Sequence, residues 1–169
     1  EKNILEAVSD SFVQASKTGS LDILVVLDTS GSMSDNFETV GAGMQTLKAD
    51  IELLTDDYRF GFITGDPERL GLQGPYDRSS TDIDLLMAPS LMPYASKEES
   101  FAATYVFAQE QDGHLFFRDD ADLLVFFISD EEEQSHISSQ MFYDWLHEFK
   151  SNARVDSVSI VNLEDSDCD

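Results

Sequence analysis

Two short apolar runs, each closed by an aspartate, constrain the fold more than any other feature of this sequence. Residues 22–28 read DILVVLD, and residues 122–129, DLLVFFIS, are followed directly by Asp130. Unbroken apolar runs of this length are typical of strands buried on both faces, as in a parallel sheet covered by helices on each side. We therefore expect helices between the strands.

Helix-like and strand-like segments alternate along the rest of the chain. Apolar residues recur at helical spacing in four segments, residues 2–16, 37–54, 97–111 and 138–151. Two further runs have the character of strands, residues 58–64 and 155–161. This alternation predicts an α/β fold with a doubly wound, mainly parallel central sheet and helices on both faces. Ligands of such folds bind at the carboxyl ends of the strands, where Asp28 and Asp130 lie.

A long segment without a regular pattern, residues 65–96, separates the second strand from the next helix. It contains all four prolines of the chain, and loops of this length in compact domains are usually functional or mobile. We expect a short strand within it near residues 83–87, and Ser96 as the cap of the helix that follows. From its position, we expect the segment to border the site.

The charge of the chain excludes two classes of partner. Acidic residues outnumber basic ones by 34 to 10, which gives a net charge of −24. Such a surface repels phosphate backbones and anionic lipids, so we expect no nucleic-acid partner. No apolar run reaches the length of about 18 residues that insertion into a membrane requires. The 41% hydrophobic content, with 12 Phe, argues against a disordered chain. The remaining candidates for partners are cations and basic surfaces.

We divide the chain into three parts. These are an N-terminal helix over residues 1–19 that packs on the domain, a main domain over 20–163, and an acidic tail or linker over 164–169. The single cysteine, Cys168, excludes a disulfide within the chain. Because the sequence begins at Glu1 and shows no signal peptide, we expect a fragment of a larger protein.

The residues that close the first apolar run suggest a cation site. In Asp28-Thr29-Ser30-Gly31-Ser32, three oxygen-bearing side chains stand two positions apart. If the loop curls, the carboxylate of Asp28 and the hydroxyls of Ser30 and Ser32 can converge on one point. Hard cations such as Mg²⁺ bind oxygen ligands of this kind. The alternative is an ordinary turn with a helix cap, in which Ser and Asp are also the usual residues.

An Asp-x-Ser-x-Ser sequence directly after an apolar strand resembles the opening of the metal-ion-dependent adhesion site of von Willebrand factor type A domains, the relatives of integrin I domains. The resemblance covers about residues 20–161 and implies a Rossmann-like, doubly wound α/β fold. It implies that Asp28, Ser30 and Ser32 are metal ligands from the first loop. By its place after the strand that ends at Ser129, Asp130 corresponds to the ligand from the third loop.

The resemblance also implies a threonine from a second loop, just ahead of the helix that begins near residue 97. This sequence has Ser96 there, and Ser100 and Thr81 are alternatives. A serine hydroxyl can ligate a cation as a threonine hydroxyl does, so we assign Ser96 to this position.

The sequence departs from the family after Asp130, where residues 131–133 are all glutamate. Acidic insertions here, together with an acidic loop such as that at Asp66, resemble those of secreted bacterial members. We therefore place Asp66 and Glu131 on the rim that contacts a ligand. The alternative for residues 131–133 is a solvated helix start favoured by the helix dipole.

The resemblance implies a binding domain that holds Mg²⁺, or Mn²⁺ or Ca²⁺ in its place, and captures an acidic side chain of a protein ligand. No phosphate-binding loop, dinucleotide fingerprint or nucleophile elbow is present, so we expect no enzyme. The expected location is extracellular, at the cell surface or periplasmic, in a larger bacterial protein. The alternative is an intracellular scaffold or regulatory module of an ATP-driven assembly. The identity of the ligand and the oligomeric state stay open.

Overall fold

A five-stranded sheet forms the centre of the chain, of which the computed structural model describes residues 19–161. In chain order the strands are β1 (Leu21–Leu27), β2 (Tyr58–Thr64), β3 (Gln73–Asp77), β4 (Asp122–Ser129) and β5 (Val155–Val161). Their order across the sheet is β3-β2-β1-β4-β5. All neighbouring pairs are parallel except β2 and β3, which are antiparallel. The order reverses between β1 and β4, which is where ligands bind in open sheets of this kind.

The register of the three central strands brings their ends to one level. Leu27 at the end of β1 pairs with Thr64 of β2 on one side and with Ile128 of β4 on the other. The next residues, Asp28 and Ser129 among them, therefore lie together at the carboxyl ends of the strands.

Helices cover both faces of the sheet, as the sequence predicts. The helices are α1 (Phe37–Leu54), α2 (Asp82–Met87), α3 (Ser100–Gln109), α4 (Gln111–Phe116) and α5 (Ser139–Phe149). Alternate residues of β1 belong to two separate cores: Ile23 and Val25 pack with α1 and α2, while Leu24 and Val26 pack with α3, α4 and α5. Side chains of both sets are fully buried. The doubly wound α/β prediction is therefore confirmed.

Two predictions within the long segment and the helix after it are wrong. Residues 83–87 are not a strand but part of α2, because Thr81 and Asp84 form a reciprocal capping box that starts a helix there. The strand of this segment is β3, which lies earlier in the chain. Ser96 does not cap the next helix, since α3 begins at Ser100 after Glu99.

The remaining differences are small or fall outside the described residues. The helix predicted over 97–111 is shorter, because α3 ends before Glu110 and α4 follows as a separate helix. The predicted helix at 2–16 and the acidic tail at 164–169 lie outside the residues that the structure describes. Within residues 19–161, none of the helices combines the length and the apolar character that crossing a membrane requires.

The packing of α1 on α2 gives the first prediction. A methyl group at Gly41 would lie 2.3 Å from the backbone oxygen of Leu86, whereas one at Gly43 would meet nothing within 4 Å. Gly41→Ala is expected to destabilise the fold by about 1–3 kcal/mol, because the two helices must move apart. Gly43→Ala, the matched control, is expected to stabilise it by about 0.5–1 kcal/mol through helix propensity. Urea unfolding midpoints measure both, and equal effects would contradict this packing.

Candidate metal centre

Asp28 ties together the loops that leave β1 and β4. It directly follows β1 and is 2% exposed. Its Oδ1 accepts a hydrogen bond of 2.8 Å from the backbone N–H of Ser30, and its Oδ2 accepts one of 2.8 Å from the hydroxyl of Ser129. The Ser129 hydroxyl in turn accepts a hydrogen bond of 2.9 Å from the N–H of Glu131. The carboxylate is therefore held in one orientation from both sides.

A second run of hydrogen bonds connects the predicted ligands to one another. The hydroxyl oxygens of Ser30 and Ser32 are 2.9 Å apart. The Ser32 hydroxyl donates to Oδ1 of Asp130 over 3.2 Å. The structure thus brings together Ser30, Ser32 and Asp130, which are up to 100 positions apart in the chain, beside Asp28.

These separations fit a small hard cation. Neighbouring ligands around an octahedral Mg²⁺, at about 2.0–2.1 Å from the ion, lie about 3 Å from each other. The measured distances of 2.9 Å and 3.2 Å between the three oxygens are close to that value. The set depends on hydroxyls: within residues 19–161 there is no cluster of three or more His, Cys, Asp and Glu side chains placed to hold a metal ion.

Local sequence holds the first loop in this shape. The hydrogen bond from the Ser30 N–H to Asp28 closes an Asx turn, for which Asp is a favoured residue. A 3-10 turn over Ser32–Asn36 then leads into α1. Met33 within that turn is 3% exposed and anchors it in the core. The loop is fixed by the core below it and by its own side chains.

The end of the long segment crosses the edge of the sheet beside this loop. The Thr29 hydroxyl donates to the carbonyl of Pro93 over 2.8 Å, and the N–H of Ala95 donates to the carbonyl of Thr29 over 3.4 Å. Further along, the N–H of Glu99 donates to the carbonyl of Gly65 over 2.9 Å. Residues 93–99 therefore bridge the turns that follow β1 and β2.

The structure brings none of the three second-loop candidates into hydrogen-bonding contact with the first loop. Ser96 is exposed, although its neighbour Ala95 contacts Thr29. Ser100 is 6% exposed at the start of α3. The Thr81 hydroxyl is engaged with Asp84 at the cap of α2. The assignment of Ser96 as a ligand stays a prediction.

The two predicted rim residues have different surroundings. Asp66 is 3% exposed, and its carboxylate accepts a hydrogen bond of 2.9 Å from the N–H of Glu68. It therefore lies inside the turn after β2 and not at an exposed rim. Glu131 is exposed and follows Asp130 directly, so its side chain is available at the edge of the site.

Glu98 is a site residue that the sequence reasoning missed. It is 7% exposed, and its carbonyl accepts a hydrogen bond of 2.7 Å from the N–H of Gln134, in the stretch that follows β4. Burial raises the pKa of the Glu98 carboxyl, and the negative charges of Glu131 and Asp28 raise this pKa further. Asp130 adds a smaller effect on the same pKa. The electrostatic potential at the carboxyl ends of the strands is thus strongly negative, which favours a bound cation.

Proteins of known structure share this fold. Proximal thread matrix protein 1 (PTMP1) from the mussel byssus superposes with a TM-score of 0.56 at 18% identity, over 86% of this chain and 36% of the mussel chain. The structure of PTMP1 with a zinc-occupied MIDAS motif has the same TM-score at 20% identity, over the same shares. A von Willebrand factor type A protein from Catenulispora acidiphila has a TM-score of 0.53 at 14% identity, over 84% and 33%.

The chain therefore has the von Willebrand factor type A fold, and the fold implied by the resemblance at Asp28–Ser32 is confirmed. It spans about a third of the length of these solved structures. No family model matches the sequence, and no curated protein matches it either. At these identities the likeness shows the fold alone.

The crowded carboxylates at the site give the second prediction. Because the pKa of Glu98 is raised in the folded protein, its ionised form destabilises the fold above that pKa, and this cost disappears as the pH falls through it. Without divalent cations, Glu98→Gln is expected to raise the melting temperature at pH 7 by roughly 2–4 °C, the shift for about 1 kcal/mol in a domain of this size. The variant is also expected to gain less than the parent between pH 7 and pH 5.

Thermal unfolding monitored by circular dichroism measures these changes. Glu132→Gln is the matched control, because it removes an exposed carboxylate two positions from Asp130. An equal or lower melting temperature for Glu98→Gln than for the control would contradict the proposed repulsion.

Proposed function

We propose that this domain holds a divalent cation at Asp28, Ser30, Ser32 and Asp130 and binds a protein ligand through it. Mg²⁺ is the cation that the oxygen ligands suit best, with Mn²⁺ or Ca²⁺ in its place. The observation that carries the proposal is the hydrogen-bonded run from Ser30 through Ser32 to Asp130. It joins two loops at the point where the strand order reverses, with oxygen separations close to those of an octahedral site.

The proposed site residues have different roles. Asp28 orients the first loop and binds Ser129, so it sets the position of both loops at once. Ser30 and Ser32 supply neutral oxygens, and Asp130 supplies a charged one. Ser96 is proposed to add a hydroxyl from the neighbouring segment, and Glu131 to contact the ligand at the rim. The cation, when bound, would offer a position to a carboxylate of the partner.

The structural neighbours support this proposal. PTMP1 has a MIDAS motif that zinc can occupy, and the proposed oxygen ligands of this chain follow strands of the same fold. PTMP1 is a thread matrix protein, in keeping with a location outside the cell, at its surface or in the periplasm. Binding through a shared cation requires no nucleophile and no proton transfer, so we propose a binding domain and not an enzyme.

The third prediction tests cation binding. Mg²⁺ at about 100 times its dissociation constant is expected to stabilise the domain by about 2.7 kcal/mol, because the ion binds only the folded state. The melting temperature should rise by roughly 5–10 °C. Asp28→Asn, which keeps the shape of the side chain, should lose this increase, and Ser32→Ala should reduce it.

Each variant is compared with itself, with and without Mg²⁺, so that a change in basal stability does not affect the result. Asp35→Asn is the control, because it removes an exposed carboxylate from the 3-10 turn beside the loop. Equal Mg²⁺ shifts in the parent chain and in Asp28→Asn would refute the assignment of the site.

The fourth prediction tests the capture of an acidic side chain. A displayed library of random peptides, selected on the immobilised chain in Mg²⁺, is expected to yield peptides that share an Asp or Glu. Replacing that residue by Asn or Gln should abolish binding, and so should removing the cation. Peptides that bind equally well after either change would show that the site does not act in this way, even if the ion itself binds.

A further inference from the structure

A cavity at the opposite end of the sheet from the candidate metal centre is lined by basic and polar side chains. It measures about 180 Å³ and lies between the segment that precedes β4 and the segment that precedes β5. His114, Arg118, Lys150, Ser151 and Asn152 line it, with the rings of Phe117 and Phe149. Because β4 and β5 are parallel, both segments lie at the amino ends of the strands, far from Asp28 and Asp130.

The surroundings of Lys150 are unusual for a buried lysine. Two lysines of the described residues are more than nine-tenths buried, Lys48 at 8% exposure and Lys150 at 4%. The Lys48 ammonium lies 2.9 Å from a carboxylate oxygen of Asp82 and 3.9 Å from one of Glu52. Buried charges are normally paired in this way, because an unpaired one is costly.

Lys150 has no such partner. Within residues 19–161 its ammonium forms no salt bridge, and its one hydrogen bond goes to the backbone carbonyl of Arg118. An ammonium has three protons to donate, so two are not used in hydrogen bonds to the described residues. Burial lowers the pKa of the Lys150 ammonium, and this effect outweighs the negative charges of Asp22, Asp119 and Asp120, which raise it.

Arg118 is held firmly at the same cavity. Its Nε donates to Oδ1 of Asp22 over 2.8 Å, and its Nη2 donates to the carbonyl of Leu21 over 3.1 Å. Asp22 is fully buried and also pairs with Arg59 over 2.9 Å. A third group on Arg118, Nη1, pairs with Asp57. The wall of the cavity is therefore a rigid ionic network, which is the kind of support that a binding site requires.

We infer that this cavity binds a small doubly charged oxyanion, phosphate or a group of the same shape and charge. Lys150 supplies a buried ammonium that forms no salt bridge within residues 19–161, and the exposed Ser151 and Asn152 supply polar groups. The cavity has room for several waters or for one such anion with water. Hydrogen bonds between an ammonium and an anion are charge-assisted, and they are stronger than those between neutral groups. Asp119 also borders the cavity but is exposed and forms no salt bridge with Lys150.

This site is independent of the proposed cation site and can be tested without it. The full chain of 169 residues, labelled with ¹⁵N and freed of metal on a chelating resin, is titrated with sodium phosphate. A second titration uses sodium chloride at matched ionic strength. We expect saturable shifts of amide signals at residues 118–120 and 150–154 with phosphate only, and none at residues 28–32.

Variants decide whether Lys150 is responsible. Lys150→Met is expected to weaken phosphate binding at least tenfold, because it removes about one charge-assisted hydrogen bond to the anion. Lys48→Met, which removes the other buried lysine, should leave the affinity unchanged. Asn152→Asp places a negative charge at the exposed opening and should also weaken binding, without disturbing a buried contact.

Three results would overturn the inference. One is a set of shifts that phosphate and chloride produce equally. Another is an unchanged phosphate affinity in Asn152→Asp, which decides the question alone if Lys150→Met fails to fold. Sulfate, which has the same shape and charge, is expected to compete with phosphate, and a failure to compete would also count against the site.

Discussion

The pairing of β1 on both of its edges is the constraint on which the rest of the molecule depends. This strand lies between β2 and β4 in one register, and its residues belong in alternation to the two cores on either side of the sheet. A strand in this position must be apolar throughout, because both of its faces are buried. Its first and last residues, however, lie at the amino and carboxyl ends of the parallel strands, where charged side chains can be placed. Asp22 and Asp28 occupy these two ends.

The two aspartates have contrasting surroundings. Asp22 is fully buried and accepts hydrogen bonds from the guanidinium groups of Arg59 and Arg118, so its charge is balanced within the fold. Within residues 19–161, the hydrogen bonds to Asp28 come from neutral donors, Ser30 and Ser129, and other carboxylates lie near it. A negative charge that is oriented by hydrogen bonds but not neutralised leaves a cation as the natural missing partner. The charge of Asp22 at the amino end of β1 is thus balanced by arginines, whereas the charge of Asp28 at the carboxyl end is not.

At the amino ends of the strands, basic side chains lie among carboxylates: Arg118 pairs with Asp22 and Asp57, and Arg59 pairs with Asp22. The chain has 10 basic residues against 34 acidic ones, yet Arg59, Arg118 and Lys150 all lie near the amino ends of the strands. The opposite edge gathers Asp28, Glu98 and Asp130. Under the two proposals, the domain binds a cation at one end and a small anion at the other, despite its large negative net charge. Local clusters of charge, and not the total, decide what can bind at each end.

The sequence alone determined the class of fold and the first loop, because both depend on local patterns. Apolar runs and helical spacing predict β1, α1, β2, β4 and β5, and the Asp28–Ser32 motif lies within one turn. The sequence-based prediction misplaced the strand of the long segment. The apolar residues of α2 fit either a strand or a helix, and only the cap at Thr81 favours a helix. Tertiary structure alone decided that Ser129 binds Asp28, that Glu98 is buried beside it, and that Lys150 is buried without a salt bridge to the residues of 19–161. Each of these facts concerns residues that are distant in sequence and meet only because parallel strands bring their ends together.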